Sequence, residues 1–153
     1  MKVFLDTNIF MEYASCRKQY KLVQAIFDAI EDEKLEAVVS AGGMYTTAYL
    51  LTRLFKEQGI HRPEQTEKLR VGLNGLLNLA TIVDCNQEAI SMAINDNRFV
   101  DIEDSFQYQC ALHNNCDVLL TINIKDFKNV LDGPLPILTP EDFVAQYIDN
   151  SEE

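Results

Sequence analysis

Three short stretches of the chain concentrate side chains that hold hard cations. Asp6-Thr7-Asn8 directly follows the apolar run Val3-Phe4-Leu5. Asp101, Glu103 and Asp104 open a helical pattern, and Asn123 and Asp126 follow the apolar run Val118-Leu119-Leu120. A carboxylate at the end of a buried strand is costly to desolvate unless something pairs with it, and a metal ion is one such partner. Oxygen-only ligands suit Mg²⁺ or Mn²⁺, and no His or Cys cluster competes for a softer metal. Such a cation activates water and holds a phosphate oxygen, which is the chemistry of phosphodiester hydrolysis. Each stretch also has a plain structural reading. Asp-Thr-Asn is good turn chemistry, acids complement the dipole at any helix start, and Asp126 alone reads as a surface residue. Only the recurrence of acids and amides at three element ends favours a site.

The elements that must bring them together alternate. Strands are predicted at 2–5, 37–39, 81–83, 117–121 and 137–138. Helices are predicted at about 9–14, 18–33, 44–57, 63–79, 87–94 and 103–114, with a short one at 124–127 and a last one from Thr139 onward. Leu22, Val23, Ile26, Phe27 and Ile30 show the helical spacing, and Leu69, Leu73, Leu76 and Leu77 repeat it. Ala41-Gly42-Gly43 reads as a turn, Gly59 as a stop, and Pro63 as a first-turn proline. Asn86, Asp101 and Thr139 are natural caps. The order βαβα predicts an α/β fold: a three-layer αβα sandwich around a mainly parallel sheet of four to five strands. In such a sheet, strand ends from distant sequence positions converge on one edge, so the three acidic stretches share a pocket.

Composition bounds the rest. With 153 residues, the chain reads as one domain over 1–148 and a polar, frayed tail over 149–153. Its 47% hydrophobic and 24% charged residues are those of a soluble globular protein. No amino-terminal apolar run suits a signal peptide or membrane span, so a cytoplasmic protein without a membrane partner is expected. Cys16, Cys85, Cys110 and Cys116 form no CxxC pair and read as reduced packing residues. The net charge of −11 argues against a general nucleic-acid coat. It leaves a nuclease open, because metal-binding acids add negative charge that cations offset locally. His61 and His113 read as surface residues. Arg53, Lys56, His61 and Arg62, and separately Arg17, Lys18 and Lys21, form small basic patches that suit either phosphate contact or solvation. Tyr45 and Tyr49 suit either base stacking or core burial.

At VFLDTNIF and DIEDSFQYQCALHNNCDVLLTINIKDF, with the βαβ order between them, the chain resembles the PIN domain family. The resemblance is closest to the branch of VapC-type toxins and related bacterial PIN proteins, and it covers Met1 to about Tyr147. It implies a Mg²⁺- or Mn²⁺-dependent endoribonuclease, the toxin of a toxin–antitoxin pair. By position, Asp6, Asp104 and Asp126 match the catalytic, metal-holding acids. Glu103 and Asn123 match supporting ligands. Thr121 matches the threonine that ends the strand, and Asn8 an amide that supports the first carboxylate. RNA would be the substrate and an antitoxin protein the partner, and a homodimer is compatible with the family. One departure stands out. The family usually carries a Glu in the helix after the second strand, and here Thr47 holds the matching position. A hydroxyl is a weaker ligand than a carboxylate. A sister branch also lacks this Glu, so membership is unaffected. The alternative is a catalytically weak or inactive PIN-fold module that binds nucleic acid or protein. A metal-dependent phosphatase is a third reading, weakened because Asn8 stands where a second Asp would be needed.

Overall fold

The computed structural model describes residues 1–152. Five strands form one sheet: β1 (Lys2–Leu5), β2 (Glu36–Ser40), β3 (Thr81–Val83), β4 (Val118–Leu120) and β5 (Ile137–Leu138). Every neighbouring pair is parallel, and the order is β3-β2-β1-β4-β5. The mainly parallel sheet read from the sequence is therefore wholly parallel. The helices are α1 (Thr7–Ala14), α2 (Tyr20–Glu31), α3 (Ala41–Glu57), α4 (Glu64–Leu79), α5 (Gln87–Ile94), α6 (Ile102–His113) and α7 (Pro140–Phe143). A 3₁₀ turn spans Ile124–Phe127. The last helix runs on as a π-helical stretch over Val144–Ile148 and a 3₁₀ turn over Asp149–Glu152. The expected tail thus begins as a continuation of that helix, and its last residue, Glu153, lies outside the described residues. No helix among the described residues is long and apolar enough to cross a membrane.

Period-2 alternation along the central strands divides the core into two layers. Val3, Leu5, Ala37, Val39, Val118 and Leu120 face α2, α4 and α7 through Val23, Ile26, Leu76 and Phe143. Phe4, Val38 and Leu119 face the other way, onto Tyr108, Cys110 and Ala111 of α6 and onto Phe127. Strands buried on both faces read as unbroken apolar runs, which is why 3–5 and 118–120 are legible in the sequence. β3 is the exception. Ile82 is exposed, because β3 sits on the sheet edge with a single partner, β2.

Ala41-Gly42-Gly43 is not the turn that the sequence suggests but the first turn of α3. Ser40 caps that helix, its hydroxyl oxygen accepting the Gly43 N–H at 2.8 Å. A side-chain cap compensates for the poor helix propensity of the two glycines. Gly59 has a left-handed φ of 76° and ends the same helix region, the conformation glycine adopts at least cost. Gly72 lets α4 close on α3, since a β-carbon there would stand 3.2 Å from Leu51.

Candidate active site

β1 is the centre of the sheet, and the strand order runs outward from it in both directions. Its boundary with β4 is the topological switch point, where α/β sheets open a crevice beyond the carboxyl ends of the strands. Asp6 stands there, one residue past β1, and its N–H donates to Leu120 of β4 at 3.0 Å. Thr121 stands one residue past β4. The two strand ends thus carry their polar residues side by side without any contact in sequence.

Asp6 is 4% exposed. Its Oδ1 accepts the Thr7 N–H at 2.9 Å, and its Oδ2 accepts the Thr121 hydroxyl at 2.9 Å. Thr121 also accepts the Asn123 N–H at 3.1 Å, so one hydroxyl orients both the acid and the start of the following turn. Burial pushes the Asp6 carboxyl from its ordinary 3.8 up to about 6. The charges of Glu103 and Asp126 push the same way, and the two hydrogen bonds push against them. Asp104, in the first turn of α6, is half-buried. Burial first, and then the charges of Asp6, Asp101, Asp126 and Glu103, raise its carboxyl to about 7. Its Oδ2 is buried with no hydrogen-bond partner. Buried polar atoms normally have partners, so this oxygen is left free to take one.

The acids read from the sequence are therefore brought into one electrostatic neighbourhood. Asp6 and Asp104 are withdrawn from solvent, while Glu103 and Asp126 are exposed at its rim. Asn123 is exposed and precedes the 3₁₀ turn that carries Asp126. Among the described residues, no three His, Cys, Asp or Glu side chains are gathered as a ready-made metal cluster. The donor chemistry still suits a hard cation. Mg²⁺ keeps several of its waters and uses one or two carboxylates, and the orphaned Asp104 oxygen supplies a free ligand beside a second buried acid.

Two supporting assignments change. The hydrogen bonds that hold Asp6 come from Thr7 and Thr121, not from Asn8. α1 begins at Thr7, so Asn8 lies in a helical turn and lines a groove with Arg17 and Arg53 instead. Thr47 is 1% exposed, and its hydroxyl donates to the Gly43 carbonyl at 2.8 Å, one turn back in α3. It does not stand in for the missing Glu as a free ligand.

What the sequence did not reveal is a neutral network behind the acids. The Ser40 hydroxyl donates to Gln107 Oε1 at 2.6 Å, and Gln107 Nε2 donates to the Thr7 hydroxyl at 2.9 Å. All three residues are buried. The network ties the ends of β1 and β2 to α6, and Gln107 lies one turn beyond Asp104. The only signal is a polar residue at each of these element ends or inner faces, which by itself does not tell a network from a cap.

A parallel sheet whose switch point brings Asp6 and Asp104 together defines an α/β protein with an acidic site. The chain belongs to the PIN domain family, whose profile matches residues 2–125. It is 25% identical over 152 residues to Ribonuclease VapC1 of Aquifex aeolicus, covering 95% of each chain. Among solved structures it resembles VapBC2 of Rickettsia felis bound to a promoter DNA fragment, with a TM-score of 0.64 and 17% identity over 91% of this chain and 98% of that one. It also resembles VapBC-1 of nontypeable Haemophilus influenzae, with a TM-score of 0.60 and 19% identity over 92% and 99%. A third likeness is to VapC20 of Mycobacterium tuberculosis, a sarcin-ricin loop cleaving toxin, with a TM-score of 0.55 and 10% identity over 76% and 86%. The structural likenesses carry the fold.

Proposed function

We propose that this protein is a divalent-metal-dependent endoribonuclease that acts as the toxin of a toxin–antitoxin pair. The observation that carries the reading is the buried, unpartnered Oδ2 of Asp104 next to buried Asp6 at the switch point. The ribonuclease name of the Aquifex relative and the VapBC names of the similar structures support the substrate and partner classes. Asp6 and Asp104 would hold Mg²⁺ or Mn²⁺, with Asp126, Glu103 and Asn123 at the rim. When bound, such an ion supplies charge neutralisation and an acidified water for attack on a phosphodiester.

The protein's own residues have distinct tasks. Thr7 and Thr121 fix the Asp6 carboxylate through both oxygens, so it meets a ligand with little rotamer entropy left to lose. The Ser40–Gln107–Thr7 network fixes α6 against the β1 end, which sets the position of Asp104 relative to Asp6. Glu103 and Asp126 add negative potential that favours a cation and disfavours a bare phosphate.

Asp6→Asn is expected to abolish RNA cleavage, assayed on a labelled RNA with Mg²⁺ or Mn²⁺. Cleavage at the wild-type rate by the variant would show that the acid is not catalytic. A second reading, a PIN-fold binding module without catalysis, draws on Thr47 in place of the family's Glu and on the absence of a ready-made three-acid cluster among the described residues. Calorimetric titration with Mn²⁺ separates the two. Millimolar-or-tighter binding that is lost in Asp104→Asn supports the nuclease, and no binding by wild type supports the module.

A further inference from the structure

Large aromatic rings exposed on a helix beside an acidic site call for an explanation. Tyr45 and Tyr49 of α3 are 75% and 62% exposed. Arg53 follows one turn later, and the spacing of four puts all three on one helix face. The Arg53 guanidinium lies over the Tyr49 ring, 5.9 Å from its centroid. Along the same helix runs a groove of about 180 Å³ between α1 and α3. Asn8, two residues beyond Asp6, lines it together with Arg17, Arg53 and Glu57, the last of these in the final turn of α3. In a chain with 24 acidic residues against 13 basic ones, neither arginine forms a salt bridge among the described residues.

The same helix starts at the site. At Gly43, in its first turn, a β-carbon would stand 3.2 Å from Gln107 Nε2 and 3.3 Å from the Thr7 hydroxyl. Those two atoms belong to the network that braces Asp6 and Asp104. α3 thus meets the bracing network through its buried face, at Gly43 in its first turn, and its opposite, exposed face carries Tyr45, then Tyr49 and Arg53, along the helix away from that end.

We propose that this face is a track for single-stranded RNA, with bases stacked on Tyr45 and Tyr49 and phosphates on Arg53 and Arg17. Aromatic stacking accepts any base, and the guanidinium groups neutralise a backbone that the rest of this acidic surface repels. The track rests on the nuclease reading above and deepens it. It places the substrate's flanking nucleotides along α3 and restricts the site to unpaired RNA, because stacking on a side chain requires a base free of its own neighbours. A protein partner would use the same tyrosines only as apolar area, which makes the two occupants separable.

The test is fluorescence anisotropy of a 5′-labelled single-stranded RNA 12-mer and its duplex, with EDTA present so that nothing is cut. Wild type is expected to bind the single strand and to bind the duplex at least tenfold more weakly. Tyr45→Leu/Tyr49→Leu should weaken single-strand binding tenfold or more, whereas Tyr45→Phe/Tyr49→Phe should stay within about threefold of wild type. Arg17→Ala/Arg53→Ala should reduce the slope of log affinity against log salt by about 0.7 for each phosphate that is no longer neutralised. Equal affinity for duplex, an unchanged leucine variant, or a phenylalanine variant as weak as the leucine one would each overturn the track. No binding of either RNA by the wild type would also overturn it. All four side chains lie at the surface, so matched thermal melts exclude misfolding. Cleavage assays separate this proposal from the one it rests on. If wild type cuts RNA and the leucine variant cuts it with the same KM, the track fails and the nuclease stands. If wild type binds through the tyrosines but cuts nothing with Mg²⁺ or Mn²⁺, the nuclease fails and the track stands.

Discussion

At the scale of single residues, the site turns on how Asp6 is held. A buried carboxylate with two donors keeps a carboxyl near 6, where burial alone would push it higher. Thr121 supplies the stronger of the two opposing hydrogen bonds. Thr121→Val keeps the shape and removes the donor, so the Asp6 carboxyl should titrate above about 6. Carbon-detected NMR of the aspartate carboxyls from acid to mildly alkaline pH reads this directly, and a titration unmoved from wild type would assign the hold to Thr7 alone. Loss of a hydrogen bond to a charged, buried group should also cost about 2 kcal/mol of stability at neutral pH. Asp6 and Asp104 are legible in the sequence because each follows a strong local signal: an abrupt polar break after an apolar run, or acids at a helix start. The role of Thr121 in holding Asp6 is not, since the bond joins positions 115 residues apart.

At the scale of elements, the sequence marks where strands and helices fall but not how their ends are joined. The strands at 2–5, 81–83 and 137–138 and the helix at 87–94 match the structure. Ala41-Gly42-Gly43 reads as a turn because glycine propensity outweighs a serine cap whose partner is only seen in three dimensions. Ser40 shows why this matters. It caps α3 through Gly43, and it donates to Gln107, which lies 67 residues away on α6. One hydroxyl therefore fixes the start of the tyrosine-bearing helix and the helix that carries Asp104. Ser40→Ala should lose about 1 kcal/mol for the cap and about 1–2 kcal/mol for leaving Gln107 Oε1 without its donor. Urea denaturation measures the sum. The same variant should impair cleavage more than a comparably destabilising core change such as Ile26→Ala, because it loosens α6 against β1. Equal activity in the two variants would reduce the network to a stability device.

At the scale of the whole molecule, the site works against the fold that contains it. A −11 chain already repels itself, and the switch point adds two acids withdrawn from water. The folded chain raises Asp6 from 3.8 to about 6 and Asp104 from 3.8 to about 7. In that window the folded state binds more protons than the unfolded one, so the free energy of unfolding falls as pH rises from about 4 to about 7. Asp6 alone should account for on the order of 3 kcal/mol of that loss, and above about pH 8 its contribution should stay level. Asp96 acts in the opposite sense. Its hydrogen bonds from Arg98 hold it below the ordinary range, so its stabilisation is lost only as pH falls through and below about 4. A maximum in thermal stability is therefore expected at mildly acid pH rather than at neutrality. Asp6→Asn/Asp104→Asn should flatten the decline between about pH 4.5 and about pH 7.5 in melts of otherwise identical samples. If the decline persists in that variant, general surface repulsion is its cause. The same variant also links stability to function, because a divalent cation that binds these acids replaces the protons they hold. Mg²⁺ or Mn²⁺ at several times its dissociation constant should therefore raise the wild-type melting temperature at about pH 7.5 and leave the double variant unmoved. A buried acid beside a half-buried one destabilises the fold while its charge is uncompensated, and relief by a cation is the outcome expected if the two are kept for chemistry.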